Sequence, residues 1–339
     1  MTTAYGSARG RPRRRGPGSL GSARRIRLHR SLEGQPVTQP DTIARQGASL
    51  LASGAPLLAG AGVLWGGAGA AGRMVAASGQ LSSLEVAAGR ALIGGVALVL
   101  AAWLLRRPWL RGRRAVRHVV AMALLTIAYQ TTYFAAVAAG SLSIATLVAL
   151  GSAPVFVTIV HAVQRRRLEA RSVAILALAL VGLGLLVGRP EGGEGVWTVV
   201  GLALGSGVAF AAITLINADA VPGSDHITGT GVAFVLAGAV MVVVLLIAPG
   251  PSIQWSGPLV GWLVVLGLLC TAAPYGLYFT GLLRASAPVA ALFALLEPVT
   301  STLIAVAAFG ERLGVLGWVG GALLLGAVVA SSWTPKAAS

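Results

Sequence analysis

Apolar residues fall in blocks of about 20, bounded by Arg, Gly or Pro, and no polar face recurs inside a block at helical spacing. That length carries a helix across the ~30 Å hydrocarbon layer of a bilayer. Ten blocks can be read, at about 49–72, 82–105, 118–139, 142–163, 172–188, 196–217, 228–248, 258–282, 286–308 and 313–332. The pattern predicts an all-α polytopic membrane protein of ten transmembrane helices.

Two stretches repeat one another. Ala128-Tyr-Gln-Thr-Thr-Tyr133-Phe134, followed by Ser141, Ala145, Leu147, Ala149, Leu150 and Pro154, matches Ala273-Pro-Tyr-Gly-Leu-Tyr278-Phe279, followed by Ser286, Ala290, Leu292, Ala294, Leu295 and Pro298. The offset is 145 as far as Leu150 and Leu295, then 144 from the prolines onward. A repeat of this kind in an apolar chain predicts two related halves around a pseudo-symmetric pore. Five spans per half is an odd number, so the second half must be inverted relative to the first. The expected units are a basic tail at 1–48, repeats at 49–189 and 190–333, and a short end at 334–339.

Composition agrees with the blocks. Mean hydropathy is +0.81 and 11% of residues are charged, against about 25% in soluble domains. The net charge of +16 suggests a nucleic-acid partner until the charges are located. Ten arginines lie in the first 48 residues, and ten more in the 106–117 and 165–171 stretches between blocks. Basic residues on alternate loops are topology signals; no groove-reading element accompanies them, so no nucleic acid is expected. They place both termini in the cytoplasm of a multi-pass plasma-membrane protein. The 1–48 tail, rich in Arg, Gly, Ser and Pro, reads as disordered, with anionic lipid headgroups as a contact; an inert extension or a mis-assigned start reads equally well. The lone Cys270 permits no intramolecular disulfide or cysteine metal cluster.

Leu64-Trp65-Gly66, Arg90 in the second span, Leu295-Leu-Glu297-Pro298-Val299 and Phe309-Gly310-Glu311-Arg312-Leu313 together resemble the EamA family of the drug/metabolite transporter superfamily. The resemblance covers about 49–332 and implies two five-helix repeats, each ending in a Pro-bearing helix, a Gly-Glu-Arg-Leu turn and a closing helix. It also implies transport of small metabolites, commonly amino acids, nucleobases or amphiphilic drugs. The first repeat departs from this pattern: its turn reads Gln164-Arg-Arg-Arg-Leu168-Glu169, with arginine where the acid is expected and Glu169 displaced.

Several residues are candidates for the chemistry. A charge at the centre of a span costs at least about 2.5–3.5 kcal/mol, so Arg90 and Glu297 are expected to face the bundle interior, and each needs a counter-charge. They are expected to pair across the repeats and to couple charge to transport; structural roles for both weigh almost as heavily. Pro154, Pro274 and Pro298 each remove a backbone donor and are expected to kink their helices. Tyr129, Gln130 and Tyr133, with Tyr275 and Tyr278 on the matched helix and Trp65, form the candidate substrate pocket. Tyr129 and Tyr133 share a helix face at i, i+4, and Tyr275 and Tyr278 at i, i+3; the competing reading is an interfacial aromatic belt, which suits Trp103, Trp109, Trp197, Trp255, Trp262 and Trp333 better. His161 reads as interfacial.

The repeat points to a secondary carrier with a midplane cavity; the family resemblance implies export or uptake of small molecules, with an exporter the favoured reading and proton coupling open. No Gly-x-x-x-x-Gly-Lys-Ser/Thr loop supports ATP drive. No His-Glu-x-x-His or second deep acid supports an intramembrane enzyme, and no cofactor or metal is expected. An enzyme and a lipid-translocating protein stand as alternatives.

Overall fold

The computed structural model describes residues 54–79, 81–188, 195–247 and 253–333; the basic tail and the 334–339 end lie outside the described residues. The described residues form ten helices in chain order: α1 (Ala55–Ser78), α2 (Ser83–Leu104), α3 (Gly112–Ala139), α4 (Leu142–Arg165), α5 (Ala170–Val187), α6 (Val196–Ile216), α7 (His226–Ile247), α8 (Gly257–Leu282), α9 (Ala287–Phe309) and α10 (Val315–Ser332). Nine are long and apolar enough to cross a membrane, and α1 misses that standard because it is diluted by glycine. Two boundaries differ from expectation. Arg73 lies inside α1 rather than ending it, and Arg113, Arg114 and Arg117 belong to the first turns of α3 rather than to a loop. A long apolar-stemmed arginine can extend its helix beyond the hydrocarbon and keep its head in water, so a charge need not end the helix.

Packing follows the repeat. α2 packs on α7 and α5 on α10; α3 packs on α6 as α8 does on α1, and α4 on α6 as α9 does on α1. Moving every helix five places along the chain maps these pairs onto one another. Contacts along the α2–α7 seam run in opposite senses: Leu92 lies against Gly238, Gly95 against Val235, and Val99 against Gly231. Along the α5–α10 seam Gly182 lies against Leu324 and Leu186 against Gly320. Counterpart helices are therefore antiparallel, and the two five-helix repeats are inverted.

Glycine sets the closeness of both seams. A Cβ on Gly182 would stand 2.8 Å from the Gly320 carbonyl oxygen, one on Gly320 would stand 2.6 Å from that of Gly182, and one on Gly95 would stand 3.0 Å from that of Gly231. In lipid, where apolar burial gives helices no reason to associate, such backbone proximity supplies the van der Waals contact that holds them. The same device recurs where the first helix of each repeat enters the other repeat. Gly62 abuts the Phe293 carbonyl and Leu296, and Gly207 abuts the Ala149 carbonyl and Ser152.

Helix ends are satisfied locally. Ser82 and Glu85 form a capping box on α2 (3.3 and 2.6 Å), which accounts for Glu85. Arg171 reaches from α5 to the last carbonyls of α10, bonding Ala330 (2.8 Å) and Trp333. The turns after α4 and α9 correspond, and both turn through a left-handed residue, Gly310 (φ 69°) in one and Arg166 (φ 51°) in the other. Glycine adopts that conformation without steric cost; arginine does not.

Replacing Gly182 by Ala is expected to destabilise the protein by about 1–3 kcal/mol through overpacking, although alanine is the better helix former. Gly184→Ala, two residues on with open space around it, is expected to be neutral or stabilising. Thermal unfolding of both variants in detergent checks this.

Candidate functional site

The site is built where the four central helices of the two repeats meet. Trp65 on α1 touches the rings of Tyr275 and Tyr278 on α8 (centroids 5.1 and 5.2 Å) and of Phe210 on α6 (6.0 Å). Phe210 in turn meets Tyr129 on α3 at 5.6 Å. Phe210 stands 145 positions after Trp65 and is its counterpart in the second repeat, so the pseudo-two-fold axis passes by an aromatic pair made of equivalent positions. The belt reading of this cluster fails, since Trp65, Tyr275 and Tyr278 are each at most 5% exposed. Trp103, Trp109, Trp197, Trp255 and Trp333 are exposed on the surface, and Trp262 is half-buried.

Above this aromatic layer lies a cavity of about 510 Å³. Trp65, Tyr129, Phe210 and Tyr275 floor it, and Leu142, Ser143, Val187, Glu311 and Leu313 border its mouth. All the mouth residues belong to the face opposite the arginine-rich loops, and no residue of the 105–111 or 166–169 loops borders the cavity. At that rim Arg73 pairs with Glu311 (2.6 Å) and stacks on Phe309 (4.9 Å to the ring centroid). Both partners are about half exposed, so the pair adds little to stability.

The predicted residues divide in two. Trp65, Tyr129, Gln130, Tyr133, Tyr275, Arg90 and Glu297 all border this one cavity. Tyr278 does not: it is fully buried beneath the floor, with its hydroxyl on Thr214 (3.0 Å). Tyr133 stands higher, off the floor, with its hydroxyl on Thr146 of α4 (3.1 Å) and its ring against Phe134. His161 is half-buried away from the cavity. Sequence reading missed Phe210, Thr214 and Thr271; the repeat offset applied to Trp65 would have found the first.

The expected Arg90–Glu297 ion pair does not form: among the described residues no such contact falls within 4 Å. Arg90 is satisfied by α8 instead. Its Nε donates to Thr271 Oγ1 (3.1 Å) and its Nη2 to the Cys270 carbonyl (3.4 Å). Pro274, four residues on, has no N–H to compete for that carbonyl. The chain around it is a π-helical turn, Leu268–Ala272, with Thr271 bonded back to the Leu266 carbonyl (2.9 Å). Glu297 makes no hydrogen bond or ion pair among the described residues, although it borders the same cavity. It sits beside a break at Leu295 that divides α9 into Ala287–Ala294 and Leu296–Phe309. α4, by contrast, runs through Pro154 without interruption. Pro154 and Pro298 withhold a donor from the carbonyls of Leu150 and Ala294, residues that both border the cavity. No group of three or more His, Cys, Asp or Glu among the described residues could hold a metal.

The profile of the EamA-like transporter family matches the chain twice, over residues 52–188 and 197–333. The chain belongs to that family. It is thus a membrane transporter of the drug/metabolite transporter superfamily. Among its relatives, "Uncharacterized transporter YwfM" of Bacillus subtilis (strain 168) is 31% identical over 255 residues, 75% of this chain and 85% of that one. An "Uncharacterized transporter" of Archaeoglobus fulgidus is 26% identical over 213 residues, 63% and 75% of the respective chains. A solved crystal structure at 20% identity superposes with a TM-score of 0.70 over 82% of this chain and 97% of its own, which shows a shared fold. The EamA-like repeats differ at their turns: Glu311 of the second meets Arg73, while Arg167 stands at the matching place in the first and Glu169, just before α5, accepts from the Ser172 hydroxyl (3.4 Å).

The two deep charges should separate in a stability measurement. Arg90→Ala is expected to cost about 1.5–3 kcal/mol, the worth of hydrogen bonds from a charged donor, and Thr271→Val a smaller part of that. Glu297→Gln is expected to leave thermal stability unchanged or raise it, since it removes an unpaired charge. Unfolding temperatures of the three variants in detergent decide.

Proposed function

We propose that the protein is a secondary carrier that exports small amphiphilic metabolites, of the amino-acid, nucleobase or drug kind, across the plasma membrane by alternating access. One observation carries this reading. The first half of α9, Ala287–Ala294, packs on α4 and gives only its inner residues Ala291 and Ala294 to the cavity, whereas its counterpart in the first repeat, Leu142–Ala149, supplies Leu142 and Ser143 at the mouth as well as Thr146 and Ala149. The outer ends of these segments are thus in opposite states: Leu142 and Ser143 border the opening, and their counterparts Ala287 and Pro288 do not border the cavity. In an inverted repeat, exchanging the two states moves the opening to the other face. The bodies that move are α1 with α8 and α9, and α6 with α3 and α4, since each repeat's first helix packs in the other repeat.

The positive-inside rule supports a cytoplasmic side for the arginine-rich loops and both termini; in that orientation the cavity opens outward, and anionic lipid headgroups are a contact for the basic N-terminal tail. Glu297, unpaired beside the cavity, takes up either a proton or the cationic group of a solute. Arg90, held by α8, supplies a fixed positive charge opposite it.

Closure toward the outside should bring Thr146 of α4 toward Ser301 of α9, which both border the cavity now. Cysteines at these two positions, in a Cys270→Ala background reconstituted in proteoliposomes, are expected to cross-link during turnover, abolish substrate counterflow and recover it on reduction. The substrate for the assay comes from a counterflow screen of amino acids, purines and cationic drugs. Full counterflow by the cross-linked protein, or no saturable exchange with any solute, would sink the carrier reading.

A further inference from the structure

Along α3 several polar side chains already have partners. Thr131 donates to the Ile127 carbonyl (2.8 Å), Thr132 to the Ala128 carbonyl (2.6 Å), and Tyr133 shares a hydrogen with Thr146. Gln130, between them, is 2% exposed, and its amide nitrogen has no acceptor among the described residues. Among the described residues Thr126 is the other buried residue with an unpartnered side-chain atom, but it does not border the cavity. Gln130 does. An amide that gave up water on folding and gained no partner is costly to keep. Such a group makes sense where its partner arrives with a ligand.

The surroundings say what that partner is. Gln130 stands at the position equivalent to Tyr275, 145 residues later, so the two border the cavity from symmetry-related places, one as an amide and one as a phenol in the aromatic floor. The amide's terminal torsion is broad and nearly two-fold, so its NH₂ can turn to the cavity without strain. What it lacks is an acceptor, hence an oxygen of the solute. The aromatic floor beside it suits a flat apolar body, and the carboxylate of Glu297, on the α9 side, suits a cationic group.

We propose that Gln130 is the specificity-determining residue of the cavity, donating a hydrogen bond to a carboxylate or carbonyl oxygen of a solute whose ring lies on the Trp65–Tyr275 floor. The inference rests on the cavity being the solute site of the carrier. It separates Gln130 from Glu297 by function: the first reads an acceptor, the second a cation. A buried hydrogen bond to a fixed donor also discriminates more sharply than apolar fit, because a solute lacking the oxygen leaves the amide as unpaired as before.

Three probes differ only in their polar groups. 3-Phenylpropionate has the acceptor and no cation, 2-phenylethylamine the cation and no acceptor, and L-phenylalanine both. Binding to the purified full-length protein in detergent is read by ligand-induced shifts of the unfolding temperature, titrated to about 10 mM, where even weak affinities register. In Gln130→Met, affinity for the two acceptor-bearing probes is expected to fall about tenfold or more, the loss of a hydrogen bond to a charged oxygen. Affinity for 2-phenylethylamine is expected to stay within about twofold. The ligand-free variant is expected to unfold no lower than the parent, because the substitution removes an unpaired polar group; a merely structural glutamine would predict the reverse. Gln130→Ala repeats the comparison should the methionine variant not fold. An equal loss for all three probes, no loss for any, or no binding of an acceptor-bearing probe by the parent protein overturns the proposal. Binding in detergent needs no transport, so selective loss in Gln130→Met stands even where counterflow fails, and counterflow stands even where this selectivity does not appear.

Discussion

The close approach of antiparallel helices at two glycine-lined seams is the constraint on which the rest of this structure depends. In a bilayer every backbone N–H and C=O must be satisfied within the protein, and packing has to come from contact rather than from escape from water. Gly182 against Gly320, and Gly95 against Gly231, bring backbones to distances that any side chain would forbid. These seams tie each helix to its own counterpart, and so fix the pseudo-symmetry that the remaining helices inherit. With α2–α7 and α5–α10 held in this way, the first helix of each repeat can sit in the other, and the space between the two interlocked groups becomes the cavity.

Charge within the span obeys the same accounting. Arg90 is tolerated because the π-turn presents the Thr271 hydroxyl and the Cys270 carbonyl to it together. A helix defect and a buried cation, each unfavourable alone, satisfy one another. Glu297 has no such arrangement, and Gln130 has none for its amide nitrogen. Glu297 and Gln130 thus both stand on the walls of the cavity, where a solute can supply what they lack, while Thr126, the other buried residue with an unpartnered atom among the described residues, lies away from it.

Much of the architecture was legible because it is written in periods. Block length set the helices to within a few residues at most ends, and the 145-residue offset placed counterpart helices before any contact was seen. The failures have physical causes. Arg73 and the arginines of α3 misled because charge was taken as an end of helix, although their stems extend it. Tyr278 was placed with Tyr275 on one helix face, as it is, but that face points partly into the cavity and partly below it, and no period distinguishes depth. The supposed Arg90–Glu297 pair failed because a sequence shows few counter-charges and hides the carbonyls. The π-turn that satisfies Arg90 has no signature except the proline that follows it.

The unequal turn and the lone glutamate bear on how such a chain came to be one chain. Two identical copies of the second half, associating antiparallel, would place two copies of Glu297 about a single axis, with their carboxylates sharing one apolar enclosure. Two identical copies of the first would place none there, since the matching position is Ser152 or Ala153 according to the register taken. Neither homodimer could hold exactly one acid beside one acceptor-reading amide. Joining the halves removed that restriction, since a fused pair may keep one copy of each group and discard the other. What fusion supplied was the freedom to be asymmetric in chemistry while staying symmetric in mechanics.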